Sequence, residues 1–359
     1  MVGWTISKNA LKNLFEELRT KYRVVGPVRR GGATYTYSFP TFDVVENWED
    51  MELDYEFSML PLKKIFFPDS QPIYSWEKKG ETIEIRDRMG VWRTPIVFFG
   101  LRPCDIAALN LLDKVLSEGR FVDYYYQKKR ENSILIGLTC NKPLKQCFCN
   151  VMGTGPDIES GYDLLLTDIG EKYYVKVGSK MGEEIISTYG DYFQKATSTD
   201  EKLREKILNK VKDELMRRNS GLELEKILEN LENKFNDEIW TTVAQRCLTC
   251  GACTMVCPTC HCFSVIDRSN LEVTAGVRVL VWDSCHYEAF SEMAGGFNVR
   301  AEKRSRCRHR IYHKTIYSLR QYGVPTCVGC GRCYTACPAH IDLREVFRGL
   351  LLGVREVEI

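Results

Sequence analysis

Two stretches of the chain, "CLTCGACTMVCP" at 247–258 and "CVGCGRCYTACP" at 327–338, follow one pattern at every position: C-x2-C-x2-C-x3-C-P, with glycine after the second cysteine. Three cysteines separated by pairs of residues on a tight loop wrap three corners of a [4Fe–4S] cubane. The fourth, followed by a proline that disrupts a helix, is directed at the cluster of the other motif. The repeat therefore predicts two clusters with crossed ligands. Cys247, Cys250, Cys253 and Cys337 hold one; Cys327, Cys330, Cys333 and Cys257 hold the second. The small residues Gly251, Ala252, Gly329 and Gly331 leave room for backbone N–H groups to reach the sulfides, and such hydrogen bonds help set a cluster's potential. Zinc ribbons also use C-x2-C, but they assemble four ligands from two pairs rather than from one run ending in proline.

Outward from the repeat, the bulk numbers set the frame. A chain of 359 residues is long for one ordinary core, so two domains are expected. Its 50 basic and 48 acidic residues nearly cancel, so the overall field does not point to nucleic acid. No apolar run approaches the length of a membrane span; "TPIVFFGL" (94–101) is among the longest. The N-terminal "ISKNALKNLFEELRTKYR" reads as an amphipathic helix with Leu11, Leu14, Phe15 and Leu18 on one stripe, and not as a signal peptide. The expected location is the cytoplasm. In a reducing compartment the sixteen cysteines are expected to bind metal or do redox chemistry rather than form disulfides.

The expected fold class is α+β: an α/β N-terminal domain over 1–197, a charged helical linker over 198–236, and a mainly helical two-cluster ferredoxin-like domain over 237–359. "TPIVFFGL" and "NSILIGLT" (132–139) have strand length and composition. Asp105 is expected to cap the helix "DIAALNLLDKVLSEG", which Gly119 stops. "YDLLLTDIGEKYYVKVGS" (162–179) reads as two strands around a turn at Ile169–Gly170. The linker reads as two charged helices broken near Asn219–Gly221.

Four cysteines stand apart from the repeat. Cys104 and Cys140 each follow one of the two apolar strands, and in a parallel arrangement both would emerge at the same sheet edge. Cys147 and Cys149 lie a short loop later, in "TCNKPLKQCFCN" (139–150). The four could converge on a third [4Fe–4S] cluster or a structural zinc, or be buried free thiols; the spacing matches no standard signature. Cys260, Cys262 and Cys285 are surplus to two complete cubanes. They are expected to pack or hydrogen-bond beside a cluster, the sharper alternative being a further metal site with His261 or His286. Cys307 is expected to be incidental, and His309, His313 and His340 solvated or structural. The basic "RAEKRSRCRHRIYHK" (300–314) is expected to offset the negative charge of nearby cubanes or to face an acidic partner, rather than bind nucleic acid. There is no G-x-G-x-x-G after a strand ("GTGPDIESG", 153–161, fails the spacing), no P-loop, no Ser/His/Asp set and no H-E-x-x-H. No catalytic residue is therefore nominated, and no flavin is expected on this chain.

The segment "RCLTCGACTMVCPTCHCF…WDSCHYEAF…AGGFNVRAEKRSRCRHR…HK…CVGCGRCYTACPAHIDLREV" resembles the iron–sulfur β subunits of cytoplasmic sulfhydrogenases, and is similar to the A subunits of anaerobic sulfite reductases. Upstream, "FFGLRPCDIAALNLLDKV", "LTCNKPLKQCFCNVMGTGP" and "GYDLLLTDIGEKYYVKVG" look like that family's N-terminal domain. The likeness covers most of the chain, more weakly before about residue 60 and across the charged helices. It implies an electron-transfer subunit, not itself catalytic. Such a subunit would link a flavin subunit that uses NAD(P)H to a catalytic subunit, a nickel–iron hydrogenase or a sulfite reductase, with neither membrane nor nucleic acid as partner. Two rivals stand beside it. One is a sulfur- or sulfite-reducing subunit with its own site at the surplus cysteines; the other is a metal-stabilised nucleic-acid or interaction module.

Overall fold

The computed structural model describes residues 3–29, 39–88 and 94–353. Twelve strands lie among them: β1 (Trp4–Ser7), β2 (Arg23–Val28), β3 (Thr41–Val44), β4 (Ser70–Lys79), β5 (Thr82–Asp87), β6 (Ile96–Leu101), β7 (Ser133–Leu138), β8 (Leu164–Asp168), β9 (Lys172–Val177), β10 (Gln194–Lys195), β11 (Phe263–Ser269) and β12 (Ala275–Trp282). Eight form one mixed sheet in the order β10-β1-β9-β8-β7-β6-β2-β3. Its centre, β2-β6-β7-β8, is parallel. The two flanks are antiparallel. The near-continuous apolar character of β6 and β7 fits central strands covered on both faces. On one face lies the helix Lys8–Lys21, which Ser7 caps by accepting from the Ala10 N–H at 3.1 Å. Its Leu11, Leu14, Phe15 and Leu18 pack with Val97, Phe99, Ile134 and Ile136. On the other face Phe98, Leu101 and Leu135 meet Ile106, Leu109 and Leu112 of the helix Pro103–Leu116.

That helix starts earlier than its sequence suggests. Arg102 is the N-cap and Pro103 occupies the first turn, a position where a missing N–H costs nothing. Asp105 is not the cap; it is the buried third residue of the helix and has another use, described below. The segment 162–179 is the antiparallel pair β8–β9. The charged region forms two helices, Ser198–Arg218, opened by a capping box between Thr197 and Asp200, and Leu224–Asn233.

The remaining strands form a four-stranded antiparallel sheet, β11-β12-β4-β5. A hairpin inside the cysteine-rich part thus pairs with a hairpin from residues 70–87, across the linker. The region 237–359 is not simply helical, and its sheet spans the domain boundary expected from sequence. β-branched alternation in β12 (Val277, Val279, Val281) supplies the strand preference. A bulge between Arg278 and Val279, opposite Tyr74 and Pro72, accommodates a proline inside β4. The helical remainder, Ile239–Arg246, Lys303–Tyr312 and Leu343–Leu352, packs with Leu224–Asn233 around the fully buried Trp240.

Candidate metal centre

The two cysteine motifs fold alike because their glycines fall at the same place. Gly251 (φ 75°) and Gly331 (φ 76°) are left-handed and start the one-turn helices Ala252–Met255 and Arg332–Thr335. Each turn presents a backbone N–H to the first thiol of its motif: Thr249 N–H lies 3.4 Å from Cys247 Sγ, and Gly329 N–H 3.5 Å from Cys327 Sγ. One cavity is lined by Cys247, Cys250 and Cys253 from the first motif and Cys337 from the second, with His286 and Arg310 in its wall. Burial pushes the Cys253 thiol up to about 12, against the pull of Arg310, with Cys333, Cys247 and Cys337 adding to the rise. On the other side Cys257 faces the second motif. Burial, followed by Cys333, Cys257 and Cys330, pushes Cys327 up to about 12. Cys333 and Cys307 line the same cavity, so the two motifs lie against one another, with Cys337 beside the first motif and Cys257 beside the second.

The surroundings fit a polyanionic group. Arg310, Lys314 and Lys63 are all buried, and none has a carboxylate partner among the described residues. Arg310 faces Cys253, Cys333, Cys260 and Cys257; Lys314 faces Cys257, Cys260 and Cys327. Lys63 Nζ donates to the carbonyls of Cys260 at 2.8 Å and Thr254 at 3.3 Å, and stands 4.1 Å from the centre of the Trp282 ring. Lys314 lies in a π-helical turn (His313–Tyr317), a bulge that aims Nζ at Thr259 Oγ1, 2.9 Å away. Buried cations without anions would cost several kcal/mol each, so this trio fits thiolate-bound clusters, whose negative charge it offsets.

Two surplus thiols touch expected ligands. Cys260 contacts Cys257: it is itself pushed up and holds Cys257 well below the ordinary thiol range, as an S–H donor to a thiolate does. Cys307 does the same to Cys247, which falls to about 4, and His286 joins that contact. The ligand atoms of Cys247, His286 and Cys307 lie within 4.8 Å of one another. Cys307 is therefore not incidental but buried against Cys247, an expected ligand. His261, His309 and His313 are held neutral by burial, to about 3, 4 and 4. Elsewhere in the basic run, Arg304 and Arg308 donate to carbonyls of 235–237, and Arg306 to those of Arg300 and Ala301.

The four upstream cysteines also come together. Cys104 sits in the first turn after β6 and Cys140 just past β7, at the same end of these parallel strands. Burial pushes Cys147 far up, with Cys149, Cys140 and Cys330 adding, and Cys149 to about 12, with Cys140 and Cys330 adding. Cys104 is raised by burial, and both Cys330 and Cys147 contribute. The loop that carries Cys147 and Cys149 lies directly on the second motif. Phe148 N–H donates to Gly329 O at 2.7 Å, and Cys147 Sγ to Cys330 O at 3.6 Å. Gly329 has no alternative: a Cβ there would stand 2.6 Å from the Phe148 carbonyl and 2.7 Å from the Cys149 nitrogen. The linker helix closes the other side, packing Val211 and Leu215 on Cys147 and Cys149, and Asn219 Nδ2 donates to Cys147 O at 3.0 Å.

Arg332, between Cys330 and Cys333, ties the two sets together. It is wholly buried, donating to Ser58 O at 2.6 Å and to the wholly buried Asp105 at 2.8 Å, with Cys104 Sγ 3.8 Å away. Arg332 and Lys63 did not stand out in the sequence, and Asp105 did so only as a helix cap. The one available cue was a charged residue inside an otherwise apolar or cysteine-rich run.

Residues 246–341 match the family of 4Fe–4S dicluster domains. The chain is thus an iron–sulfur protein by both its repeat and its family. Over 348 residues it is 34% identical to sulfhydrogenase 2 subunit beta of Pyrococcus furiosus, covering 94% of this chain and 96% of that one. The chain belongs to the family of sulfhydrogenase β subunits. Among the described residues no helix is long and apolar enough to cross a membrane.

Proposed function

We propose that this chain is the electron-transfer subunit of a cytoplasmic redox complex, linking a flavin subunit that uses NAD(P)H to a nickel–iron hydrogenase subunit. Cys247, Cys250, Cys253 and Cys337 hold one [4Fe–4S] cluster, Cys327, Cys330, Cys333 and Cys257 a second, and Cys104, Cys140, Cys147 and Cys149 a third. Bound clusters supply one-electron carriers. The chain's own residues do the rest: Arg310, Lys314 and Lys63 offset negative charge, Cys260, Cys307 and His286 stand against ligand sulfurs, and Arg332 fixes the spacing between the second and third sets.

The observation that carries this reading is the contact of three cysteine sets in series, with Cys330 and Cys333 in the middle. Cys250 of the first set is exposed, Cys104, Cys140 and Cys147 of the third are partly exposed, and Cys330 between them is buried. A series accessible at both outer sets and buried in its middle suits passage of electrons between two partners. The relative's name supports a hydrogenase as one partner.

The test is iron and acid-labile sulfide per chain in anaerobically purified protein, before and after Cys147→Ser with Cys149→Ser. About twelve iron atoms falling to about eight is expected. About eight in both would remove the third cluster and reduce the chain to a two-cluster protein.

A further inference from the structure

His286 is only 4% exposed, yet among the described residues neither of its ring nitrogens has a hydrogen-bond partner. Buried polar atoms left unpaired are costly, so this imidazole calls for partners. What stands beside it are two thiols: the ligand atoms of His286, Cys247 and Cys307 all lie within 4.8 Å of one another. Three separate elements set this geometry. Cys247 ends the helix Ile239–Arg246, Cys307 lies inside the helix Lys303–Tyr312, and His286 follows β12 by four residues. The two helices share one core through Val243, Ala244, Cys307 and Ile311. The His286 backbone N–H donates to Ser284 Oγ at 3.1 Å, and Ser284 Oγ stands 2.8 Å from Thr254 Oγ1, which donates to Gly251 O at 2.6 Å. Ser284 and Thr254 are themselves buried, so His286 is fixed to the turn of the first cysteine motif.

We infer that Cys247, His286 and Cys307 hold one divalent ion of zinc-like softness, with the Cys247 thiolate shared between that ion and the first cluster. Sulfurs at about 2.3 Å and a nitrogen at about 2.0 Å around a tetrahedral ion stand about 3.5–3.8 Å apart, inside the spacing found here. Thiolates on different irons of one cubane point apart, so the closeness of Cys247 and Cys307 marks one ion rather than two corners. Two sulfurs and an imidazole suit zinc, whereas calcium and magnesium require oxygen. A thiolate keeps lone pairs beyond the one it gives to iron, so Cys247 can bridge. Cys307 binds as thiolate and its proton leaves to solvent, so two thiolates balance the charge of the ion. One ring nitrogen of His286 takes the ion, and the other N–H is left for the first cluster, whose cavity His286 also lines. Three protein ligands leave a fourth position for water or an exogenous ligand. Zinc carries no electron; in sharing Cys247 with a cluster, the inference rests on the relay proposed above.

The experiment uses the full chain, purified anaerobically with its iron, mixed with one equivalent of zinc chloride and passed through a desalting column. Zinc and iron per chain are then measured, and zinc K-edge absorption reads the ligands of the retained ion. The wild type is expected to keep about one zinc with its iron unchanged, bound by two sulfurs at about 2.3 Å and one nitrogen at about 2.0 Å. His286→Ala and Cys307→Ser are each expected to lower retained zinc at least tenfold at wild-type iron. Cys262→Ser, which removes a surplus thiol outside the set, is expected to keep the zinc. No retained zinc in the wild type, or a shell of oxygens that marks an adventitious ion only, overturns the inference without recourse to any variant. Wild-type zinc in His286→Ala and Cys307→Ser overturns it as well. So does loss of about four iron atoms in Cys307→Ser, because that makes Cys307 a cluster ligand. Zinc held by His286 and Cys307 in a protein that carries no iron–sulfur cluster keeps the site and sinks the relay instead.

Discussion

Replacing Gly329 by alanine tests how the N-terminal half is seated on the second cysteine motif. Gly329 has φ 60°, and a Cβ there would meet the carbonyl carbon and oxygen of Phe148 at 2.6 Å. Both atoms are backbone, so no side chain can swing aside. Ordinary contact begins near 3.4 Å, so the Cys147–Cys149 loop must retreat by about 0.8 Å. That retreat breaks the 2.7 Å hydrogen bond from Phe148 N–H to Gly329 O, and an unsatisfied buried donor costs about 1–3 kcal/mol. The left-handed backbone adds about 1–2 kcal/mol for any residue with a Cβ. The sum is about 2–5 kcal/mol, concentrated where the third set of thiols meets the second. Gly80→Ala supplies the control, since Gly80 has the same φ of 60° and nothing within 4 Å of its would-be Cβ. It should cost only the backbone part, about 1–2 kcal/mol, and leave iron untouched. Thermal denaturation and iron analysis of the three proteins decide the matter. Gly329→Ala should melt below Gly80→Ala and lose about four iron atoms. If the two variants match in melting temperature and both keep wild-type iron, the seating described here is wrong.

Three further outcomes are expected. Arg332→Gln strands Asp105 in a site where both side chains have no exposure, and should destabilise the protein by about 3–5 kcal/mol; Arg332→Met with Asp105→Leu should cost less, and thermal melting of both separates a broken pair from a lost one. Lys314→Met removes a buried positive charge facing Cys257, Cys260 and Cys327. The reduction potential of the neighbouring cluster should drop by on the order of 50–100 mV in an EPR-monitored titration, and an unmoved potential would exclude the charge-offset role. Asp200 completes the capping box of the linker helix by accepting from the Thr197 N–H. Burial opposes its ionisation, but the Thr197 backbone, Lys172 and the Thr197 hydroxyl prevail and hold its carboxyl below the usual 3.8. A depressed value contributes stability above the unfolded pKa and loses it as pH falls through the folded one. Asp200→Asn should therefore cost about 1 kcal/mol at pH 7, with the gap closing below about pH 4 in melts across pH.

What the sequence by itself determined is local. The spacing of each twelve-residue motif confines three thiols to one turn of chain, so the iron–sulfur chemistry could be read without any fold. The apolar runs of β6 and β7, the amphipathic Lys8–Lys21 helix and the β8–β9 turn were legible for the same reason: their signals repeat within a few residues. Other features depend on partners distant in the chain. Cys104 and Cys140 converge because β6 and β7 lie parallel, and Cys147 and Cys149 join them because Gly329 admits their loop. The Arg332–Asp105 pair spans 227 residues and Lys63 reaches Cys260 across 197, distances over which a sequence carries no periodic signal. The second sheet was hidden likewise, since its two hairpins bury little alone and become a sheet only on meeting each other. Short-range spacing fixed which sulfurs act together within a motif. The tertiary structure decided which motifs touch, because a buried charge or thiol acquires its role only from what the fold sets against it.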